Sequence, residues 1–452
     1  MRLAMSEARR AGRLAAALLL AATCLSSLPA AAQGRPAVVV TPGERQTFKA
    51  ALQRFADPST STDPARTAKF REALAQALLF SGVFEIIDPK AFLGPDQTEN
   101  FENRDGLACV DWTTVGADAF VEGRITADAR NYTAEFRIWD TARCKRLLRK
   151  RYRQGVDLDP GILAKRAADD IVAAFIGVRG VSSTEMVFVS DRTGSKEIFL
   201  MDADGGRQRA VTANGSINNF PSWSPSGDSI IYTSYRHRNQ PNLFVTTRGR
   251  GQPQRLLVGF DRNLSQYRGV FDPVGKQVAV VMSDGSPSEI YRVTPGSRKL
   301  HQLTRNQAID VSPTWSPNGE EIVYVSDRAG SPQLYLMDAD GKYSRRLTFN
   351  GSYNTAPAWS PDGKWIAYET RVGGQFDIWL IDPEGRVNVP LITHPRSDEA
   401  PSWAPNSRKI AFSSTRRGLA DIYITDLAGT DPVRVTSGAG NNTSPGWGPF
   451  PR

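Results

Sequence analysis

Histidine is scarce in this sequence, whose 452 residues include only His237, His301 and His394. A nucleophilic serine needs a neighbouring base, and the Gly-x-Ser-x-Gly turn of α/β-hydrolases is missing as well. The three histidines also lie too far apart in the chain to show the spacing of a metal site. We therefore expect a protein that is not an enzyme, with no catalytic residue, no metal and no other cofactor.

Long apolar runs are also rare. The most pronounced one, Leu14 to Leu28, follows a cluster of arginines and precedes the small residues Ala30 to Ala32. The run is too short for a transmembrane helix, but this order of charge, apolar run and small residues is that of a secretory signal. We predict a signal peptide at residues 1–32 and an exported mature chain that starts at Gln33 and does not span the membrane.

Cysteine is equally rare, with three residues in the chain. Cys24 lies within the predicted signal, where the preceding Thr23 fits a lipoprotein signal poorly. In an oxidising compartment the remaining pair, Cys109 and Cys144, is more often a disulfide than a metal or catalytic site. We expect a bond between them that stabilises the fold by about 3 to 4 kcal/mol, with two free thiols as the alternative.

Acidic residues are absent from one stretch, Arg143 to Arg153, in which seven of eleven residues are basic. Elsewhere lysine and arginine are interspersed with acidic residues, and the formal net charge of the sequence is +9. The stretch is consistent with a solvated edge strand whose charges discourage strand addition. It is also consistent with a contact to an acidic partner or an anionic lipid. We expect no nucleic acid partner, because the protein is predicted to leave the cytoplasm.

What the sequence does contain is a repeated motif, Pro-x-Trp-Ser-Pro-x-Gly or a close variant, between short apolar runs. Its aromatic positions are Trp223, Phe271, Trp315, Trp359, Trp403 and Trp447, which are separated by 48 residues and then four times by 44. A period in this range, with several short strand patterns in each unit, is typical of a β-propeller with one blade per repeat. The Pro-x-Gly supplies the backbone angles of a tight hairpin turn.

The two ends of the repeat region complement each other. The segment Glu185 to Gly205 has the later strands of a blade without a Trp strand, whereas the segment at Trp447 has a Trp strand with no later strands. Pairing them would complete a sixth blade and remove open sheet edges. We predict an all-β six-bladed β-propeller over residues 179–452, closed by both ends of the repeat region.

Residues 33–178 lack the repeat and are predicted to form a small α/β N-terminal domain. A helical pattern begins at Asp63 and ends before Gly82, and a second helix is predicted from Pro160 to Phe175. Strand patterns lie between the two helices, for example from Ala119 to Ile125. This order favours a small sheet covered by two helices.

Short polar residues precede most of the aromatic anchors by four or five positions. In a ring of equivalent loops they would converge at one mouth of the central channel and form a polar, mildly acidic collar that binds a peptide, a loop or a cation. The alternative is local capping, because Asn and Asp satisfy backbone donors at strand corners. The collar residues are Asn218, Asn219, Asp310, Asn354, Asp398, Glu399 and Asn442.

The order of these features resembles the TolB family of the Tol-Pal system in Gram-negative envelopes. The likeness rests on an exported chain with a small α/β domain, a short linker and six repeats of the Trp-Ser-Pro type, and it extends over essentially the whole mature chain. The motif alone also occurs in peptidase propellers, so domain order and blade count carry the resemblance. It implies a monomeric, non-enzymatic periplasmic protein that supports outer-membrane integrity and invagination during cell division.

The resemblance also implies two partners. The lipoprotein Pal would bind the propeller face at the collar and at three further positions, and TolA would bind the N-terminus of the mature chain. The further positions for Pal are Gln266, Tyr267 and Arg268. The first residues of the mature chain are Gln33, Gly34, Arg35 and Pro36. The alternative is a generic periplasmic propeller that binds another protein or a glycan, since a peptidase would need a hydrolase domain and an oligosaccharide lyase a histidine-rich metal site.

Overall fold

The structure is a computed structural model that describes residues 47–55, 64–93, 107–248, 250–256, 264–297 and 299–451. The predicted signal peptide at residues 1–32 and the predicted TolA-binding residues Gln33, Gly34, Arg35 and Pro36 lie outside these ranges. Within the described residues, no helix is both long enough and apolar enough to cross a membrane.

The N-terminal part contains a five-stranded sheet in the order β2-β1-β3-β4-β5. Its strands are β1 (Phe48–Leu52), β2 (Phe84–Ile86), β3 (Ala119–Ala127), β4 (Asn131–Asp140) and β5 (Lys145–Gly155). The helices of this part are α1 (Pro64–Ser81), α2 (Cys109–Thr114) and α3 (Pro160–Ile176), with a 3-10 turn at Pro89–Ala91. β1 pairs in parallel with β2 and β3, whereas β3, β4 and β5 are antiparallel.

Helices α1 and α3 cover one face of this sheet. The carboxylate of Asp159 caps α3 by accepting a hydrogen bond from the N–H of Gly161 at 2.8 Å, and Gly177 ends the helix with a φ of 71°. The apolar sides of the two helices pack on β3 and β4 in a core that includes Phe70 and Phe136. The sheet with two long helices that the sequence predicts is therefore present.

Helix α2 packs on the opposite face of the sheet. The ring of Trp112 in α2 stacks on Phe120 of β3, with centroids 4.1 Å apart. Cys109, the first residue of α2, forms a disulfide with Cys144, which directly precedes β5, and the two Cα atoms are 5.7 Å apart. The disulfide therefore holds α2 beside the edge strand of the sheet.

The rest of the chain forms six four-stranded antiparallel sheets. Five of them consist of consecutive strands. Blade 1 has β9 (Asn218–Trp223), β10 (Ile230–His237), β11 (Gln240–Thr247) and β12 (Arg250–Arg255). Blade 2 has β13 (Ser265–Phe271), β14 (Val278–Ser283), β15 (Glu289–Val293) and β16 (Leu300–Gln302). Blade 3 has β17 (Asp310–Trp315), β18 (Glu321–Ser326), β19 (Gln333–Asp338) and β20 (Arg345–Arg346).

The remaining blades complete the propeller. Blade 4 has β21 (Asn354–Trp359), β22 (Ile366–Val372), β23 (Gln375–Ile381) and β24 (Asn388–Ile392). Blade 5 has β25 (Asp398–Trp403), β26 (Lys409–Arg417), β27 (Leu419–Asp426) and β28 (Val433–Arg434). Blade 6 has β6 (Glu185–Ser190), β7 (Glu197–Asp202), β8 (Arg209–Ala210) and the last strand, β29 (Asn442–Trp447), in the order β29-β6-β7-β8. The predicted fold class, an α/β N-terminal part followed by a six-bladed propeller, is confirmed.

The anchor tryptophans join neighbouring blades. Three indole N–H groups donate to a backbone oxygen in the first strand of the preceding blade. The bonds run from Trp223 to Gly446 at 3.0 Å, from Trp315 to Val270 at 3.2 Å and from Trp403 to Ala358 at 2.9 Å. Each of these three side chains therefore belongs to one blade and is bonded to the preceding blade.

The connection between α3 and the propeller is anchored by polar contacts. The fully buried carboxylate of Asp169 in α3 accepts hydrogen bonds from the backbone N–H of Ser182 at 2.7 Å and of Ser183 at 2.9 Å. Burial raises the pKa of Asp169, although these hydrogen bonds act in the opposite direction. Lys165 of α3 also pairs with Asp202 of β7 at 2.7 Å. These contacts tie the N-terminal part to blade 6.

Candidate functional site

The first strands of the six blades surround a central channel. A cavity of about 280 Å³ lies between them and is lined by residues of all six strands. Each of these strands contains one non-glycine residue whose φ is positive, between 49° and 57°. These residues, all of which line the cavity, are Phe220, Arg268, Ser312, Ala356, Ala400 and Ser444.

The positive φ coincides with a break in strand pairing. In β17, for example, the register with β18 shifts between Val311 and Thr314, as it does at a β-bulge. A positive φ is uncommon for a residue with a side chain and costs of order 1 kcal/mol. Such bends re-aim side chains and are over-represented next to functional sites. Their repetition around the channel therefore makes its lining the candidate functional site.

Five of the seven collar residues are buried in the propeller wall. Asn218, Asp310, Asn354, Asp398 and Asn442 are 0% exposed, and Gln266 at the equivalent position of blade 2 is 2% exposed. Each of these six residues lies two positions before the residue with positive φ. None of the six lines the cavity, and the carboxylates of Asp310 and Asp398 accept hydrogen bonds from arginine side chains.

The buried asparagines link neighbouring blades. The side-chain N–H group of each of three asparagines donates to a side-chain oxygen near the start of the third strand in the preceding blade. The bonds run from Asn218 to Glu197 at 2.9 Å, from Asn354 to Gln333 at 2.8 Å and from Asn442 to Asp421 at 3.0 Å. A side chain that connects two blades in this way stabilises the ring, because its buried amide N–H finds an acceptor in the preceding blade.

Arginines in a Ser-x-Arg motif hold the buried carboxylates. Arg328 donates to Asp310 at 3.0 Å and Arg416 donates to Asp398 at 3.0 Å. Arg192 occupies the same place in blade 6 and donates to the side-chain oxygen of Asn442 at 2.7 Å. This motif is not among the features predicted from the sequence, although it recurs as Ser-Asp-Arg or Ser-Thr-Arg at the end of the second strand of three blades. The pairing offsets the charge of both aspartates inside their blades.

Four predicted partner-binding residues are partly exposed: Asn219, Tyr267, Arg268 and Glu399. The hydroxyl of Tyr267 forms a hydrogen bond with the hydroxyl of Ser288. The other three lie in the first strands of blades 1, 2 and 5. The structure thus separates the predicted residues into a buried set, which shapes the wall, and an accessible set, which a partner can contact.

Arg268 brings a positive charge to the channel. One guanidinium N–H donates to the hydroxyl of Ser312 at 2.7 Å, and the guanidinium carbon lies 4.8 Å from the centre of the Phe220 ring. Burial lowers the pKa of Arg268, and the carboxylate of Glu369 acts in the opposite direction. A guanidinium has five N–H donors, so it suits binding of a carboxylate or carbonyl oxygen of a partner.

Glu369 in β22 contacts Ala400, which lines the channel, and is not among the residues predicted from the sequence. Its carboxylate accepts a hydrogen bond from the N–H of Ala400 at 2.9 Å. Burial raises the pKa of Glu369 to about 7; the nearby Glu399 also raises it, whereas the Ala400 hydrogen bond and Arg268 lower it. The equivalent positions of the other blades hold uncharged residues. They are Val189, Thr233, Val281, Val325 and Ser413. A carboxylate where the other blades have uncharged residues is the signal from which Glu369 could have been predicted.

The guanidinium of Arg268, which lines the channel, therefore lies near two carboxylates, those of Glu369 and Glu399. Burial also raises the pKa of Glu399, so protonation of both glutamates is easier here than in water. This set can donate and accept hydrogen bonds, and its charge depends on pH. In the part of the chain that the structure describes, no three His, Cys, Asp or Glu side chains are grouped so that they could hold a metal ion.

Comparisons with known proteins point to one family. A family profile described as "TolB beta propeller domain" matches residues 174–450, and one described as "TolB amino-terminal domain" matches residues 36–147. A relative from Anaeromyxobacter dehalogenans, "Tol-Pal system protein TolB", is 34% identical over 301 residues, which cover 66% of this chain and 67% of the relative. A protein of the same name from Desulfosudis oleivorans is 35% identical over 252 residues, 55% of each chain.

The fold has a counterpart among solved structures. The crystal structure of TolB from Acinetobacter baumannii matches with a TM-score of 0.76 at 22% sequence identity. The match covers 90% of this chain and 97% of that structure. At this identity the likeness concerns the fold, that is, the arrangement of an N-terminal α/β part and a propeller.

Proposed function

The chain belongs to the TolB family, and on that premise we propose that it is a periplasmic, non-enzymatic component of the Tol-Pal system that acts by binding other proteins. The family profiles and the Tol-Pal relatives support this role. The proposal takes residues 1–32 as a removable signal, 33–178 as the N-terminal domain and 179–452 as the propeller, in a monomeric protein that supports outer-membrane integrity and invagination during division.

The first proposed partner is the lipoprotein Pal, bound at the mouth of the propeller channel. The observation that carries this proposal is the ring of six strand bends around a cavity that Arg268 lines. Binding platforms need groups that a partner can reach, and the accessible residues here are Asn219, Tyr267, Arg268 and Glu399. We assign direct contacts to these four residues.

The buried predicted residues have a supporting role in this proposal. Arg328 and Arg416 already bind Asp310 and Asp398, so these aspartates do not offer a free negative charge to Pal. Contact through Arg268 instead favours an oxygen acceptor on Pal, for example a carboxylate. The buried residues Asn218, Gln266, Asp310, Asn354, Asp398 and Asn442 then hold the strand bends that present the accessible set.

The second proposed partner is TolA, bound by the mature N-terminus at Gln33, Gly34, Arg35 and Pro36. These residues lie outside the described part of the chain, so this half of the proposal is supported by family membership alone. Deleting residues 33–36 should abolish binding of TolA and leave binding of Pal intact, which a pull-down with each purified partner would measure.

The experiment that tests the Pal proposal is a calorimetric titration. The mature protein, Gln33 to Arg452, is titrated with the soluble domain of Pal from the same organism. Saturable one-to-one binding that weakens in the variant Arg268→Ala would support binding at the channel mouth. If wild-type protein shows no binding across salt and calcium conditions, the alternative of a propeller that binds another protein or a glycan replaces the proposal.

A further inference from the structure

The edge strand of the N-terminal sheet carries a concentration of positive charge that the proposed function does not use. β5 is the last strand in the order β2-β1-β3-β4-β5, so one of its long sides is unpaired within the sheet. The stretch from Arg143 to Arg153, which includes most of β5, has seven basic residues and no acidic residue.

The arginines of β5 project from the sheet face opposite α1 and α3. On that face Arg124, Arg149 and Arg151 all donate to the carboxylate of Glu135, at 3.0, 2.6 and 3.1 Å. Glu135 itself is buried, but Arg149 and Arg151 stay 46% and 63% exposed. Three guanidinium groups thus share one carboxylate, and two of them remain open to solvent.

The basic residues outnumber the carboxylates that contact them. The seven basic residues from Arg143 to Arg153 and Arg124 make eight cations. In the described part of the chain four carboxylates pair with them, which leaves a net charge of +4 for this group. The four carboxylates are those of Asp128, Glu135, Asp140 and Asp170. Among the described residues, Lys145 and Arg146 have no ion-pair partner. We call Arg124, Arg146, Arg149, Arg151 and Arg153, with the adjoining Lys145, the basic sheet face.

An apolar group projects beside the basic sheet face. The disulfide between Cys109 and Cys144 holds α2 next to the start of β5. Val110 in α2 follows the first of these cysteines and is 76% exposed. The guanidinium of Arg146 lies 5.9 Å from the ring centre of Trp139 on the same side of the sheet. The helix that carries this exposed aliphatic side chain is therefore joined by the disulfide to the residue that precedes β5.

We propose that the basic sheet face is a docking surface for the phosphate headgroups of an anionic membrane. Guanidinium groups match phosphate in geometry and charge, and a cation near an anionic bilayer contributes about 1 kcal/mol of binding. Surface-bound proteins combine such charges with an apolar side chain that inserts shallowly into the membrane. In this proposal Val110 is the side chain that inserts. An acidic protein segment would match the charge but makes no use of this valine. The inference does not depend on Pal binding, because the channel residues lie in the propeller.

The proposal is tested by co-sedimentation of the mature protein with vesicles of phosphatidylcholine, with and without phosphatidylglycerol. We expect binding to the phosphatidylglycerol vesicles that decreases with added salt. The double variant Lys145→Gln with Arg146→Gln should bind the phosphatidylglycerol vesicles about thirty-fold more weakly, because two cations are lost. The matched control is Lys276→Gln with Lys342→Gln, which removes two exposed lysines of the propeller and should leave binding unchanged.

Three further measurements make the result decisive. Val110→Ser should weaken vesicle binding but not binding of soluble polyglutamate, which tests insertion separately from charge. Circular dichroism checks that each variant is folded, and Arg153→Gln serves as a second charge variant. Equal binding to both vesicle types, or unchanged binding of the Lys145 and Arg146 double variant, would overturn the proposal. Binding of polyglutamate without binding of vesicles would overturn it as well and would point to an acidic protein partner.

Discussion

The propeller and the N-terminal sheet both place arginines next to buried carboxylates, but in different proportions. In the propeller, Asp310 is held by Arg328 and Asp398 by Arg416, one arginine for each carboxylate. In the sheet, three arginines share Glu135. In blades 3 and 5 the aspartate of the first strand and the arginine of the Ser-x-Arg motif lie beside each other, so these two charges are matched within their blades. The single edge strand has no such match and carries an excess that is available to a partner.

The largest effect is expected from breaking a matched pair in the propeller. Asp398→Ala leaves Arg416, whose side chain is only 15% exposed, without its carboxylate. We expect the free energy of unfolding to fall by about 3 kcal/mol, because an unpaired buried charge is costly. Urea denaturation measures the loss, and Glu384→Ala, which breaks an exposed pair with Arg386, is the control. A loss no larger than that of the control would show that the matched pair does not stabilise the blade.

The second prediction concerns the unmatched carboxylate of the channel. The pKa of Glu369 is raised from 4.5 to about 7 in the folded protein, so folding favours its protonated form. Its contribution to stability is fully present below about pH 4.5 and is lost as the pH rises through about 7. Relative to Glu369→Gln, the wild-type protein should lose about 3 kcal/mol of unfolding free energy over that range. Parallel pH profiles for the two proteins would contradict the assignment.

The third prediction addresses recognition. Arg268→Ala removes the guanidinium from the channel but leaves the strand bends in place, so Pal affinity should fall about tenfold, as for a well-placed arginine at an interface. Calorimetry measures the change. Arg386→Ala, in the turn between β23 and β24, removes an arginine of the same propeller that is 74% exposed and should leave affinity unchanged. If both variants bind as the wild type does, the channel mouth is not the contact.

The smallest effect is expected from Glu135 in the sheet. Burial alone would raise its pKa, but hydrogen bonds from Arg149, Arg151 and Arg124 lower it from 4.5 to about 2. Its stabilising contribution is therefore present above about pH 4.5 and is lost as the pH falls through about 2. Because Arg149 and Arg151 are about half exposed, Glu135→Gln should cost only about 1 kcal/mol at neutral pH.

The control for this last variant is Asp140→Asn, whose partner Arg143 is 80% exposed and which should change stability little. Acid titrations of unfolding free energy compare the three proteins. A wild-type stability that does not decrease more steeply in acid than that of Glu135→Gln would contradict the shared-carboxylate arrangement.

The blades could be predicted from the sequence because their signal is local and repeated. The motif from Trp315 to Gly319 predicts the end of a strand and the turn that follows it from adjacent residues, and it recurs in other blades. β1 could not be predicted in this way. Its sequence, Phe-Lys-Ala-Ala-Leu, has weak strand propensity, and it is a strand because it pairs with β2 on one side and β3 on the other. Helix α2 has six residues and is held by the disulfide.

The residues of the candidate site were only partly predictable. Asn354 and Ala356 are two positions apart, yet the first is bonded to Gln333 of the preceding blade and the second lines the channel. Sequence proximity to the anchor tryptophan does not distinguish them. Glu369 lies in a second strand and is joined to the channel by its hydrogen bond to Ala400, which is distant in sequence.

The sequence by itself determined the number of blades, the α/β character of the N-terminal part and the pair of cysteines, because periodicity, residue order and composition are properties of the linear chain. Only the tertiary structure decided which polar residues are buried and which are accessible. The reason is the bend with positive φ in each first strand, which turns the backbone within two residues and so directs neighbouring side chains into different environments. The same holds for the excess charge of β5, which depends on which carboxylates the folded sheet places beside it.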